Sequence, residues 1–371
     1  MIHHEADVVI IGGGIAGSST ALRLAEKGQR VILLEKGRVG EEASGRCGGG
    51  VRQQNRLLAE LPLAMEAIKI WGDMQDELDC DVGYRRCGNV KLIMTPEEHS
   101  AFHKIYEKEK GMGLGVEMLS PKEVHALVPA LAEDATLLGG KYCPTDGAAN
   151  PLLVVKAICR AARSKGVEIN EHEAVTKLAT KSGRITSAIT EAGEYRGSMF
   201  VIAAGPWARK ICNMIDLDFP LTVHKDYIIV TEPMPHYIEP FISYNDMYLR
   251  QALEGNVHLS GGHHLVDNFD KGLTYSALAH AANRSTNLFP KLRKAKVIRA
   301  FAGVTCYMPD ERPILDRSPD IDNLYLSAGF HGHGFCLGPI VGKLFSEWIV
   351  DGKPSLNLSD FRWTRFNHTI N

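Results

Sequence analysis

Apolar residues in this chain follow two different periods, and the changes between them outline its elements. Asp7-Val8-Val9-Ile10-Ile11 is unbroken apolar sequence after its first residue, as expected of a strand buried on both faces. Gly12 to Gly17 follows, then a helical pattern to about Lys27, with Gly28 where a helix stops easily. Arg30 to Leu34 is the next strand. Residues 57–80 carry Leu58, Ala64, Ala67, Ile68, Trp71, Met74 and Leu78 at helical spacing. Gly88 to Met94 reads as a strand ended by Thr95-Pro96, and 97–110 as a charged, solvated helix. Ser120-Pro121-Lys122-Glu123 is a capping box with proline at the first helical position. A further helix starts at Asn150-Pro151 and ends at Gly166. Strand-like runs at 168–180 and 184–190 are joined by Lys181-Ser182-Gly183. Phe200 to Ala204 is a buried strand ending at Gly205. Residues 221–262 alternate β-branched and aromatic residues with turn signals and read as mostly antiparallel strand. Residues 277–294 are helical and Leu324–Ala328 is a last strand. The final helix, about 337–350, carries a stripe of Ile340, Val341, Leu344, Phe345, Trp348 and Ile349.

The chain thus opens with β-α-β and closes with strand, glycine loop and helix, while the sheet-rich part lies between. That order predicts an α/β plus α+β fold: one Rossmann-like nucleotide domain assembled from distant segments, and an inserted antiparallel-sheet domain. The expected divisions are 1–87, 142–218 and 312–371 for the first, and 88–141 and 219–311 for the second. At 371 residues the chain is long enough for both. A formal charge of −2 carries no basic field for nucleic acid or anionic membrane. No apolar run approaches the ~20 residues of a membrane helix, and the N-terminal apolar run is already a strand, so a cytoplasmic protein is expected. The 8 cysteines show no C-x-x-C and no metal-type spacing, so free thiols are expected and no metal site.

The glycines after the first strand have a mechanism. Gly12 permits the tight turn, Gly14 lets the backbone approach a pyrophosphate, and Gly17 lets the helix pack on the strand. The pyrophosphate then sits on the helix N-terminus, over Ile15 and Ala16. Glu35, followed by Lys36, ends the next strand at the spacing of a ribose-binding carboxylate. With strand, helix, second strand and acid all in place, dinucleotide binding is the reading; no second fingerprint of this kind follows.

Four more segments accompany it: Glu42-Ala43-Ser44-Gly45-Arg46-Cys47-Gly48-Gly49-Gly50-Val51-Arg52, Ala203-Ala204-Gly205-Pro206-Trp207, Pro309 to Asp316, and Ala328-Gly329-Phe330-His331-Gly332-His333-Gly334-Phe335. Together with the fingerprint they resemble the D-amino-acid-oxidase-like flavoproteins, in the glycine oxidase, sarcosine oxidase and proline dehydrogenase β-subunit branch, over residues 7 to about 366. The resemblance implies a glutathione-reductase-like FAD-binding domain, a substrate-binding domain, and oxidation of an amino acid or N-substituted amino acid at a carbon–nitrogen bond by hydride transfer to flavin N5. It implies cofactor contacts from Ser44, Gly45, Arg46 and Gly48 to Gly50, which pass close to a flat ring, and from Val175 near the adenine. Ala204, Gly205 and Trp207 fall beside the pyrophosphate, and Gly303 near the flavin. Gly329, His331, Gly332, His333 and Gly334 fall at the flavin pyrimidine edge, where N–H groups favour negative charge on the reduced ring.

An amino-acid carboxylate is best held by an arginine fork. Arg52 is the first candidate, at the position of a carboxylate-binding arginine in sarcosine-oxidase-like relatives; Arg250 is the second. Tyr248 closes the cavity or simply packs. Of His263 and His264, which face opposite ways on a strand, one is a candidate base; His333 contacts the flavin or stabilises its loop. Three departures from the monomeric sarcosine oxidase type carry weight. Cys336 stands where a carboxylate-binding lysine is common, and Leu259 where an oxygen-activating lysine is common. The cysteine that anchors the flavin there would fall near Gly303, with Cys306 offset. The expectations are noncovalent FAD, poor direct oxidation by oxygen, and electron exit to a quinone or a partner subunit. In a heteromeric dehydrogenase, the partner would carry any second flavin (FMN) or iron–sulfur carrier. Candidate substrates are sarcosine, proline, hydroxyproline and opines. The alternatives are a hydroxy-acid or alcohol dehydrogenase of the same fold, and a flavin-binding subunit that is not catalytic alone.

Overall fold

The computed structural model describes residues 2–245 and 247–366, and only the backbone of Ile2 and His263. Two eight-stranded sheets organise it. In the first, the central strand Ile2–Ile11 pairs in parallel with Gly193–Ile202 on one side and Val31–Glu35 on the other. The parallel order extends outward to Glu168–Glu171 and Leu324–Ala328, and Ile314–Arg317 closes one edge antiparallel. Central residues Val8 to Ile11 and all of Val31–Glu35 are buried, which accounts for their unbroken apolar sequence.

The helices Ile15–Glu26, Pro151–Ser164 and Gly334–Asp351 cover one face of this sheet, joined in one core by Leu24, Leu33, Ile158, Val341 and Phe345. The opposite face is covered by the hairpin Lys177–Lys181 and Arg184–Ile189, and by Phe219 and Trp363, whose rings meet edge to face at 5.4 Å. The first helix ends as expected, with Gly28 at φ +78°. The predicted capping box forms at Ser120/Glu123, and a second one, not predicted from the sequence, forms at Thr95/Glu98. The run 168–180 is broken by His172 at φ +63° into two strands that serve different edges of the sheet. The helix Leu61–Glu77 lies beside the last helix, with Trp71 Nε1 donating to the carbonyl of Cys336 at 2.9 Å.

The second sheet orders its strands Val297–Tyr307, Thr222–Pro233, Asn256–Val266, Met247–Gln251, Phe241–Tyr244, Asn89–Ile93, Gly139–Cys143 and Glu117–Leu119. Every pair is antiparallel except Phe241–Tyr244 with Asn89–Ile93, where the two stretches of the second sheet join. The long strand Val297–Tyr307 was not legible beforehand; its first three residues are exposed, which hides its period. Helix Tyr275–Leu288 covers one face through Ala281 and Leu288. A deep cavity lies between the sheets, lined from the first by Gly12 and Ala203 and from the second by Asp226, Tyr248 and Val304.

Candidate active site

The glycine turn is dictated by backbone crowding. Gly12 has φ +113°, and a Cβ there would stand 2.5 Å from the Ala203 carbonyl oxygen. A Cβ at Gly17 would overlap the carbonyl oxygen of Gly12, so only glycine lets the helix approach this closely. The helix N-cap, Gly14, has no side chain, and the Ile15 N–H is met from a distance by Ser44 Oγ at 2.9 Å. Glu35 Oε2 accepts from the Gly13 N–H at 2.7 Å and Oε1 from the Gly37 N–H at 2.8 Å. Burial raises the Glu35 pKa while these two N–H groups pull it back. The carboxylate is thus fixed in place, and each oxygen keeps a lone pair for a hydroxyl.

The cavity of about 680 Å³ reaches Glu35, Lys36 and Val175 at this end. It runs past Gly12, Gly14, Ile15, Ala16, Ala204, Gly205 and Trp207 to a far wall of Arg46, Gly48, Gly49, Gly50, Arg52, Tyr248, Gly303, His331, Gly332, His333 and Gly334. Ser44 lines it between the two ends. Lys36 is held by Glu42 at 2.7 Å and rests 3.9 Å above the Trp207 ring. Arg46 donates from Nε to the Glu41 carbonyl at 2.8 Å, and a Cβ at Gly303 would press on its side chain.

Four expected residues stand behind the wall. Gly17 serves helix packing. A Cβ at Gly45 would overlap the Gly40 carbonyl, and one at Gly329 the Met308 side chain. Buried Arg250 turns its Nε onto the carbonyl of Gly48, so it braces the glycine segment and does not line the cavity. Tyr248 packs so close to Gly48 that any Cβ there would overlap its ring, and it stacks on Phe241 at 5.5 Å. His263 pairs in register with Asp226, but its side chain lies outside the described residues.

Arg52 is half-buried, its guanidinium 5.5 Å from the Phe241 ring centre. Its Nε is shut off from solvent and has no hydrogen-bond partner among the described residues. Burial, with Arg56 nearby, pushes its pKa down to about 10, so it stays charged at neutral pH. The loop that carries it is tied down from elsewhere. Gln53 donates from its backbone to buried Asp146 at 2.7 Å. The Asn55 N–H, at a residue with φ +57°, donates to Glu109 at 2.7 Å, and Glu109 is ion-paired with fully buried Lys141. Cys336 packs behind the loop, its Sγ 3.3 Å from the Arg52 carbonyl.

Across the wall, His333 Nδ1 lies 2.7 Å from Glu60 Oε2. Glu60 is fully buried, and burial pushes its pKa up to about 7, against the attraction of Arg56. His331, at φ +50°, meets the Tyr307 ring edge to face at 4.0 Å. Glu60, Arg56 and Asp146 were missed in the sequence because each resembles something ordinary. Glu60 is the N-cap residue of a helix, where a carboxylate needs no further explanation.

These residues fit FAD. A glycine turn and helix N-terminus suit a pyrophosphate, a fixed carboxylate suits a ribose, and backbone-rich walls at Gly48–Gly50 and Gly332–Gly334 admit a flat ring. The model of the family "FAD dependent oxidoreductase" matches residues 7–348. The chain belongs to that family, and it is an FAD-dependent oxidoreductase. It is 27% identical to the glycine oxidase of Geobacillus kaustophilus over 98% of this chain and 97% of that protein. It is 26% identical to sarcosine oxidase subunit beta of Rhizobium meliloti, over 97% and 88%. The crystal structure of L-proline dehydrogenase from P. horikoshii superposes with a TM-score of 0.94 at 27% identity, covering 99% of each chain. The chain spans only 43% and 46% of two longer relatives. Among the described residues no helix is long and apolar enough to cross a membrane.

Proposed function

We propose that this protein oxidises the carbon–nitrogen bond of a small amino acid with a secondary or substituted amine, of the sarcosine, proline, hydroxyproline or opine type. The observation that carries this reading is Arg52. A charged guanidinium with an unpartnered, solvent-excluded Nε stands in the wall of the same cavity as the glycine fingerprint. A buried cation of this kind is satisfied by a bidentate carboxylate. Bound FAD supplies the acceptor for a hydride from the carbon that bears the nitrogen.

The chain's own residues do the positioning. Arg52 anchors the carboxylate, and Phe241 and Tyr248 form an apolar wall that confines the amino-acid carbon atoms and keeps water out. The depressed Arg52 pKa matches a site that lacks competing water and offers the guanidinium little else to bind. His331 and His333 line the same cavity.

FAD is held without a covalent bond in this reading. Gly303 offers no thiol, and the Cys306 thiol is buried with its pKa pushed up to about 11, away from the reactive thiolate. Leu259 is packed in the second sheet's core. In this reading electrons leave to a quinone or to a partner subunit in a cytoplasmic heteromeric dehydrogenase. The relatives named sarcosine oxidase subunit beta and L-proline dehydrogenase support this direction. The test is anaerobic: sarcosine, D- and L-proline, hydroxyproline, glycine and an opine are each added to the yellow protein, and the flavin band is followed. Bleaching by one amine supports the reading, and slow recovery in air supports the dehydrogenase form. No bleaching by any amine, with FAD bound, overturns it for the isolated chain.

A further inference from the structure

The pair formed by Glu60 and His333 joins the buried interior to the cavity wall. Glu60 Oε2 and His333 Nδ1 are 2.7 Å apart, Glu60 is fully buried, and His333 lines the cavity. The second carboxyl oxygen, Oε1, is shut off from solvent without a hydrogen-bond partner among the described residues. A carboxylate whose second oxygen is unsatisfied in a dry site is costly, and a proton shared with the adjacent ring removes much of that cost.

We propose that Glu60 is a positioning residue: it shares one proton with His333 and thereby keeps the ring's far nitrogen, Nε2, as an N–H donor at the cavity wall. The reasoning follows from the imidazole itself. If the shared proton sits on Glu60, it is donated to Nδ1, and the neutral ring must carry its own proton on Nε2. If it sits on Nδ1, the ring is a cation and Nε2 is again protonated. Only loss of that proton leaves Nε2 as an acceptor. Within the pair, therefore, the proton can move without changing what the ring presents on its other side.

Charged and titratable groups from several neighbouring elements bear on this proton. Arg56, from the preceding turn, favours the ionised Glu60, while Glu311, from the loop after the last strand of the second sheet, opposes it. His331 stands 5.8 Å from His333, with the Tyr307 ring beyond it. Arg52 adds a positive charge to the same cavity wall. Burial raises the Glu60 pKa to about 7, so the pair holds its proton below that pH and gives it up as the pH rises through it.

An N–H donor held here favours negative charge in the cavity, whether of substrate carboxylate or of the reduced cofactor. That consequence rests on the proposed flavin site; the proton sharing does not. The two are separated by two readouts. First, the holoprotein is prepared with ¹⁵N-labelled histidine, and the His333 signal is assigned by its loss in H333N. In the wild type, Nε2 should stay protonated below about pH 7 and become an acceptor as Glu60 ionises above it. In E60A the same ring should titrate as an ordinary histidine and exchange tautomers. If E60A does not fold, E60Q, which keeps the shape and a hydrogen bond, should still lose the shared-proton titration. An unchanged titration in the variants overturns the proposal. Second, the flavin midpoint potential is measured against pH by reduction with dithionite, with no amine present. Its pH dependence should break where the pair titrates in the wild type, and E60Q should abolish the break. A shared proton by NMR with identical potential profiles would overturn the placement beside the flavin and leave amine oxidation to be judged by the bleaching test.

Discussion

The two ends of the cavity are built in opposite ways. At the fingerprint end the central strand, turn, helix and acid come from one continuous stretch, Ile2 to Glu35. Its close contacts are backbone on backbone, such as Gly12 against Ala203 and Gly17 against Gly12. The far end is assembled from side chains separated by tens to hundreds of residues. Glu60 meets His333, Arg250 braces Gly48, and Lys141 pairs with Glu109 to hold the Asn55 turn. A backbone cradle selects for the absence of side chains and is written as glycine spacing. A side-chain network is written as ordinary polar residues whose partners lie elsewhere.

This contrast can be broken from either side. The largest effect is expected at the support of the far end. Lys141→Met leaves Glu109 buried without its partner, which should cost about 3–5 kcal/mol in denaturant unfolding; a loss near zero would mean that Glu109 is neutral in the native state. Arg52→Ala should leave stability and FAD content close to wild type while lowering kcat/KM by about 10²–10³-fold, chiefly through KM. An equal loss of bound FAD would move Arg52 to the cofactor.

At the fingerprint end, Gly17→Ala forces a Cβ against the Gly12 carbonyl, at a cost of about 1–3 kcal/mol. The purified protein should carry less FAD, read from the flavin-to-protein absorbance ratio; a full complement would contradict the crowding argument. The smallest effect is in pH dependence. The Glu60 pKa is raised from 4.5 to about 7 by burial, so its contribution to stability is fully present below 4.5 and is lost as pH rises through about 7. Tm should fall across that window in the wild type, and Glu60→Gln should flatten the fall. An unchanged slope would mean that the carboxyl ionises without penalty.

What was legible follows the same division. The first strand, the glycine turn, Glu35 and the Ser120 capping box could be read because each depends on neighbours within a few residues. Arg52 is a candidate only through its place in a resemblance, since one arginine after a glycine run has no spacing of its own. Arg250 stood as the second candidate, because nothing local says whether a strand arginine faces a cavity or a carbonyl. Glu60 was hidden in a helix start, and Lys141 in a short strand whose burial depends on Glu109 from another element. Strand Val297–Tyr307 escaped because its exposed beginning carries Val297 and Ile298, so burial and hydrophobicity disagree there.

The most direct test of the central claim pairs substrate and side chain. The amine that bleaches the flavin is compared with its carboxamide in the wild type and in Arg52→Met, by anaerobic rates of reduction across concentration. If Arg52 holds the carboxylate, the wild type prefers the acid by about 10²-fold or more and the variant loses most of that preference. A preference that survives unchanged in the variant would contradict the account and move the carboxylate to another cation.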